Sequence, residues 1–304
     1  MSNASHPSPP ADRPRDTRRR RLVLWIAALL LMAGALVYQR ATGPTRPRRG
    51  HFTVGSITHR YRLLRSHDRD ADAPVIVAAP DAESTGQVRY RRYPTDDGFT
   101  SLPLARDRDR LAAALPAQPA AGKLEYYVVL RTPDGEVRIP AAAEGNVILR
   151  FKNPVPTSVL IPHASLMFLG ILLGVRTALG ALFTPRRFRG LAWLTLLALT
   201  AGGMVLGPVV QRHAFGAYWM GIPFGYDLTD NKMLVMWGVW GLACVALGWR
   251  ARRRRWPGRI AVLLAALVML AVYLIPHSLR GSELDYGKVD RGVPPAEAIG
   301  TSDR

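Results

Sequence analysis

Apolar runs of roughly 17–25 residues alternate along this chain with arginine-rich or ordinary polar stretches, and nothing else restricts its fold so strongly. Residues 22–38 (LVLWIAALLLMAGALVY) are apolar throughout, and further runs cover about 159–183, 190–210, 232–249 and 259–276. A bilayer core of about 30 Å takes about 20 helical residues, so runs of this length read as membrane spans. Five spans are expected, and a simple soluble globule is excluded. The first run is short, a mismatch that a bilayer accommodates at modest cost.

The formal net charge is +19, and its meaning depends on where the basic residues sit. Residues 1–21 carry six arginines, 184–190 carry three and 249–259 carry six, with no acid in the latter two segments. Positive residues stay on the cytoplasmic side of a membrane. Three basic clusters at alternate turns of a five-span chain agree on one orientation. The N-terminus is inside, and residues 39–158, 211–231 and the C-terminal tail are outside, as in a bacterial inner-membrane protein. Arginines at membrane ends are explained by anionic lipid, so nucleic acid is not the expected partner. Residues 1–21 are Pro- and Arg-rich and are expected to be disordered. Ala33-Gly34-Ala35 offers a small-residue cleavage site, but the apolar run continues to Tyr38, and an uncleaved anchor is the reading taken.

Residues 45–155 are of a different kind, with alternating patterns, turn signals and balanced charge. Strands are expected at 58–64, 74–79, 86–93, 124–130, 136–139 and 146–151, with a hairpin turn at Thr132-Pro133-Asp134-Gly135. Short, closely spaced strands without a convincing helix point to an all-β sandwich. The run Leu115-Pro116, Gly122 to Leu130 and Asp134-Gly135, with Val88-Arg89-Tyr90-Arg91 as a middle strand, resembles immunoglobulin-like and fibronectin-III-type modules over about 95 residues. The resemblance implies a fold and a spacer or docking role, and no particular chemistry.

The chemistry-bearing residues gather elsewhere. His163 opens the second span, His213 follows the third and His277 ends the fifth, so all three imidazoles lie at the outer boundary. They could converge on zinc, copper or iron, completed by Asp227, Asp230, Glu283 or Asp285, and Met167 and Met204 would suit copper. Two of the histidines could also hold a b-type haem, at the outer side only. The plainer reading has the histidines bonding headgroups or loop carbonyls, and Thr229 or Asp230 capping the fourth span. One cysteine, Cys244, excludes an intrachain disulfide and any multi-cysteine metal site. Ser278 beside His277 suggests a nucleophile, but residues adjacent in sequence rarely give the needed geometry and no oxyanion-hole signal appears, so a serine hydrolase is not expected. Arg176, inside the second span, is either functional or snorkels to the inner headgroups. The aromatic- and glycine-rich loop 211–232 is expected to lie on the membrane. That loop and the segment IPHSLRGSELDY resemble parts of uncharacterised bacterial integral membrane proteins, a likeness that implies no activity.

The expected architecture is therefore a five-helix membrane bundle (anchor 22–38, four-helix part 159–277) with an inserted extracytoplasmic immunoglobulin-like sandwich at 45–155 and an outer tail at 278–304. Two functions follow. The first is a His-centred metal site at the outer face, redox or hydrolytic. The second is a non-enzymatic envelope scaffold whose sandwich docks a protein partner. A transporter is a weaker third, since neither an internal repeat nor a broken mid-membrane helix is evident.

Overall fold

The computed structural model of the chain describes residues 14–184, 188–248, 255–276 and 281–301. The first helix, α1 (Pro14–Thr42), starts inside the stretch expected to be disordered. Proline suits a first helical turn, and the arginines that follow are good helix formers that extend the apolar helix backwards. The remainder of that stretch lies outside the described residues.

After the β-rich segment come α2 (Thr157–Phe183), α3 (Arg189–Leu199), α4 (Gly207–Phe215), α5 (Leu228–Leu247) and α6 (Arg255–Leu274). Four stretches are long and apolar enough to cross a membrane: Arg18–Thr42, Thr157–Phe183, Arg189–Phe215 and Trp256–Leu274. The span expected at 232–249 is helical, as α5, but is not among the four. Its first five residues include Asp230, Asn231 and Lys232, which lower its mean hydropathy.

Helix ends show how the bundle is threaded. Gln39 Nε2 donates to the Tyr273 carbonyl at 3.1 Å, and Asn153 N–H donates to the Ala214 carbonyl at 3.0 Å. At the opposite end Arg259 Nε donates to the Ala181 carbonyl at 2.9 Å, and Arg189 Nη2 to the Gly248 carbonyl at 2.8 Å. The helices thus alternate in direction. The ends of α1, α4 and α6 and the starts of α2 and α5 share the side that carries the β strands. Trp240, fully buried, lies at the bundle centre and donates its indole N–H to Met269 Sδ at 3.3 Å. Ala28 and Ala35 of α1 belong to the same core.

The third long helix is not uniform. Thr200–Leu206 forms a π-helical segment between α3 and α4, through Gly202 and Gly203. Such segments widen the turn and leave carbonyls available. His163 Nδ1, on α2, sits 2.8 Å from the Gly202 carbonyl.

The β unit contains β1 (Arg48–Val54), β2 (Ile57–Leu63), β3 (Ser66–Asp68), β4 (Ala73–Ala78), β5 (Thr85–Arg92), β6 (Thr100–Pro103), β7 (Ala105–Asp107), β8 (Arg110–Leu115), β9 (Lys123–Thr132), β10 (Gly135–Ile139) and β11 (Val147–Lys152). They form separate sheets. One is the β1–β2 hairpin, turned at Gly55 with φ 57°. A second is six-stranded, in the order β3-β11-β9-β5-β6 with β10 also on β9, and the third is β4-β8-β7. All three contribute to one core, in which Tyr126, Phe151, Leu63, Leu111 and Leu115 are fully buried or nearly so. The β3–β11 pair is parallel, the others antiparallel. The chain closes with β12 (Glu283–Leu284), α7 (Tyr286–Asp290) and β13 (Ile299–Gly300), a small hairpin-like tail packed against the β unit.

Candidate functional site: a polar seam between sheet, bundle and tail

The densest buried polar chemistry among the described residues lies where β11, the 216–227 loop, the start of α5 and the tail meet. Arg150 lies on the face of β11 opposite Val147, Leu149 and Phe151, and it is buried although its face-mates Ile148 and Lys152 are only half-buried. It is buried, and its Nη2 donates to the Ser282 carbonyl. Its guanidinium lies over the Phe215 ring, 4.5 Å from the centroid. Its Nε has no hydrogen-bond partner among the described residues. Burial pushes the Arg150 pKa down, while the charges of Asp227 and Glu283 oppose that shift.

Asp227 holds Ser282 from the other side. Its Oδ2 accepts from Ser282 N–H at 3.0 Å and from Ser282 Oγ–H at 3.2 Å. Its Oδ1 accepts from the N–H groups of Thr229 at 2.8 Å and Asp230 at 3.4 Å, so Asp227 is the N-cap of α5. The expected caps, Thr229 and Asp230, instead occupy the first turn. The Asp227 backbone makes this so: its N–H is fixed on the Met220 carbonyl at 2.9 Å, which ends the loop one step earlier. Asp230 accepts from Met220 N–H at 2.7 Å and from Gln211 Nε2 at 3.4 Å. A Cβ at position 281 would meet Asp227 Oδ2 at 3.0 Å, so a larger residue there would press on that carboxylate.

A second row of contacts extends the seam along the tail. Lys123 Nζ pairs with Glu283, and Leu284 N–H donates to the Ala121 carbonyl at 3.3 Å. Tyr286 Oη–H is shared between Gln118 Oε1 and the Lys123 carbonyl, both at 3.0 Å, and Oη accepts from Lys123 N–H at 3.0 Å. Burial pushes the Tyr286 hydroxyl up to about 12 and the Lys123 ammonium down, the latter opposed by Glu283. Arg92 bridges Asp97 at 2.6 Å and Asp290 at 2.7 Å. Asp285, exposed, caps α7 through Lys288 N–H at 3.1 Å.

The residues singled out in the sequence therefore separate. Asp227, Asp230 and Glu283 meet in the seam, engaged by N–H groups, Gln211, Ser282 and Lys123. His163 turns to the π segment, and His213 is exposed on α4. His277 and Ser278 lie outside the described residues. Among the described residues, no group of three or more His, Cys, Asp or Glu side chains could hold a metal ion. Arg176 is buried between α1 and α2, its guanidinium 5.3 Å from the Trp25 ring centroid. Sequence reasoning missed Arg150, Lys123, Gln211 and Ser282. Arg150 left a signal, as a charge within the apolar run Val147 to Phe151, whereas Gln211 and Ser282 left none. No protein-family model matches the chain, and no curated protein matches it.

Proposed function

We propose that the chain is a non-enzymatic envelope protein of the bacterial cytoplasmic membrane. It has five spans, its N-terminus inside and its β unit outside, and that unit serves as a docking platform held rigidly on the bundle. The observation that carries this reading is the clamp on Ser282 by Arg150 and Asp227, which spends the outer-face acids on joining sheet, helix and tail. The resemblance of segments in the β unit to immunoglobulin-like modules, which host many roles, is compatible with docking. The orientation is supported by Arg18 to Arg21, Arg189 and Arg259, which lie at the helix ends remote from the β unit. α5 joins the span set because its apolar part, from Met233, packs in the same core as the other helices.

Two measurements test this. Single cysteines in place of Asp109 and Thr184, on a Cys244→Ala background, are probed in intact cells with a membrane-impermeant maleimide. Labelling of position 109 alone is expected, and labelling of position 184 alone overturns the orientation. Elemental analysis of the detergent-purified chain tests the non-enzymatic part. Near-stoichiometric zinc, copper or iron that disappears in His163→Ala would replace the platform with a His-centred metal site.

A further inference from the structure

The β1–β2 hairpin carries an arrangement that costs stability. Its register sets Arg49 directly opposite Arg62 and His51 directly opposite Arg60, and all four side chains are exposed on one face. Like charges facing each other across a ladder are destabilising. The next residue of β1 in the other direction, Arg48, has Glu144 at 3.5 Å. Among the described residues neither Arg49 nor Arg62 has an acid within ion-pair distance, and the same holds for Arg40 at the end of α1.

These arginines line a cleft. A cavity of about 880 Å³ lies between the end of α1, α2 and the hairpin. Its floor is apolar, from Leu36 and Val37 of α1 and Phe168 of α2, and its upper wall is Arg40, Arg46, Arg49 and Arg62. Arg49 and Arg62 also line a second cavity of about 860 Å³, which continues upward past His51, Arg60 and Arg110. Its one acidic lining residue, Asp109, lies 3.9 Å from Arg110. An apolar floor between two membrane-length helices, topped by unneutralised guanidinium groups, has the polarity of an amphiphile with an anionic head. Guanidinium matches phosphate oxygens in a fork geometry. The cleft lies on the side where the positive-inside rule disfavours arginines close to a span, which makes four of them in and just after the last turn of α1 (Arg40, Arg46, Arg48, Arg49) unusual.

We infer that this cleft binds the phosphate headgroup of an anionic membrane lipid, with its hydrocarbon chain against Leu36, Val37 and Phe168. The inference rests on the β unit being held at the membrane face, and it names what the platform binds. The test is native mass spectrometry of the full chain in neutral detergent, incubated with dioleoyl-phosphatidylglycerol or dioleoyl-phosphatidylcholine. Wild type is expected to retain phosphatidylglycerol and not phosphatidylcholine. R49Q/R62Q is expected to bind at least tenfold more weakly, R49K/R62K to keep most of the binding, and R131Q, an exposed control, to match wild type. The melting temperature of R49Q/R62Q should equal or exceed that of wild type, because a like-charge pair is removed, so its loss of lipid cannot be ascribed to unfolding. Equal retention by wild type and R49Q/R62Q overturns the inference, as does equal retention of the two lipids. Glycerol phosphate without chains that binds as tightly as the lipid would make this a soluble-anion site and overturn the lipid source. Failure of the platform reading is separable: it would appear as reversed maleimide labelling or a stoichiometric metal, with lipid retention unaffected.

Discussion

Ser282 is a small neutral residue, yet two buried charges meet on it, Arg150 at its carbonyl and Asp227 at its N–H and hydroxyl. Hydrogen bonds to charged groups contribute about 1.5–3 kcal/mol each, and an N-cap about 1 kcal/mol. Asp227→Ala removes the cap and both bonds to Ser282, and it leaves buried Arg150 with Glu283 as its remaining nearby acid. A loss of about 3 kcal/mol or more is expected in denaturant unfolding, with Asp227→Asn falling between the variant and wild type because its amide oxygen still caps. A loss under about 1 kcal/mol would show the clamp to be superficial. The sequence marks Asp227 and Asp230 as important through their place before an apolar run. It does not reveal the direction of their bonds, because the partner Ser282 lies 55 residues away in sequence. Arg150 could have been found from its strand; Ser282 could not, since an isolated serine carries no pattern.

Secondary-structure elements divide between those that periodicity reveals and those that it does not. The long apolar helices and the strands β2, β4, β5, β9, β10 and β11 follow from runs and alternation. β1, β3, β6, β7 and β8 were not legible, since β3, β6 and β7 are only three or four residues long and the arginine- or alanine-rich β1 and β8 lack a clear alternation, so pairing with neighbours decides them. The π segment at Thr200–Leu206 was also hidden, because its glycines read as ordinary small residues of a span. A Cβ on Gly202 would meet Leu166 Cβ at 2.7 Å and Met167 N at 3.2 Å, so Gly202→Ala must displace α2 and is expected to cost about 1–3 kcal/mol. Gly238→Ala, with nothing within 4 Å, should be neutral or gain up to about 1 kcal/mol from helix propensity. Thermal unfolding in one detergent compares them, and equal effects would remove the packing role of the π segment. At α7, Arg92 holds the Asp97 and Asp290 carboxyls below their usual range, chiefly through its hydrogen bonds. Depressed pKa values mean the contribution is present above the ordinary carboxylate range and is lost as pH falls through the folded values. Amide exchange of α7, corrected for intrinsic rate, should therefore lose protection on acidification, and Arg92→Gln should already show the low-protection state at neutral pH. Protection that is independent of pH in wild type would show that the bridge does not hold the tail.

At the scale of the whole molecule, the tail is the segment that links the β unit to the helices, and in the proposed platform it fixes the one on the other. Its described residues pass between Arg150 and Asp227 at Ser282 and reach Thr301, whose Oγ1 accepts from Tyr226 N–H at 2.8 Å. One segment thereby touches the sheet, the loop before α5 and its own small hairpin. Charge patterning made the threading readable, since basic turns mark one end of the helices. The coupling of unit to bundle was not readable, because it depends on contacts between segments more than 50 residues apart, such as Arg150 with Ser282. Rigidity is the property that separates a platform from a module on a flexible leash, and it is directly measurable. Spin labels at Glu136→Cys on the β unit and Leu242→Cys on α5, on a Cys244→Ala background in nanodiscs, report the distance between the two parts by pulsed electron resonance. A single narrow distance distribution is expected, broadening when Arg150→Met and Asp227→Ala are added. A broad distribution in the unaltered seam would mean that the β unit moves independently of the helices, and would contradict the platform.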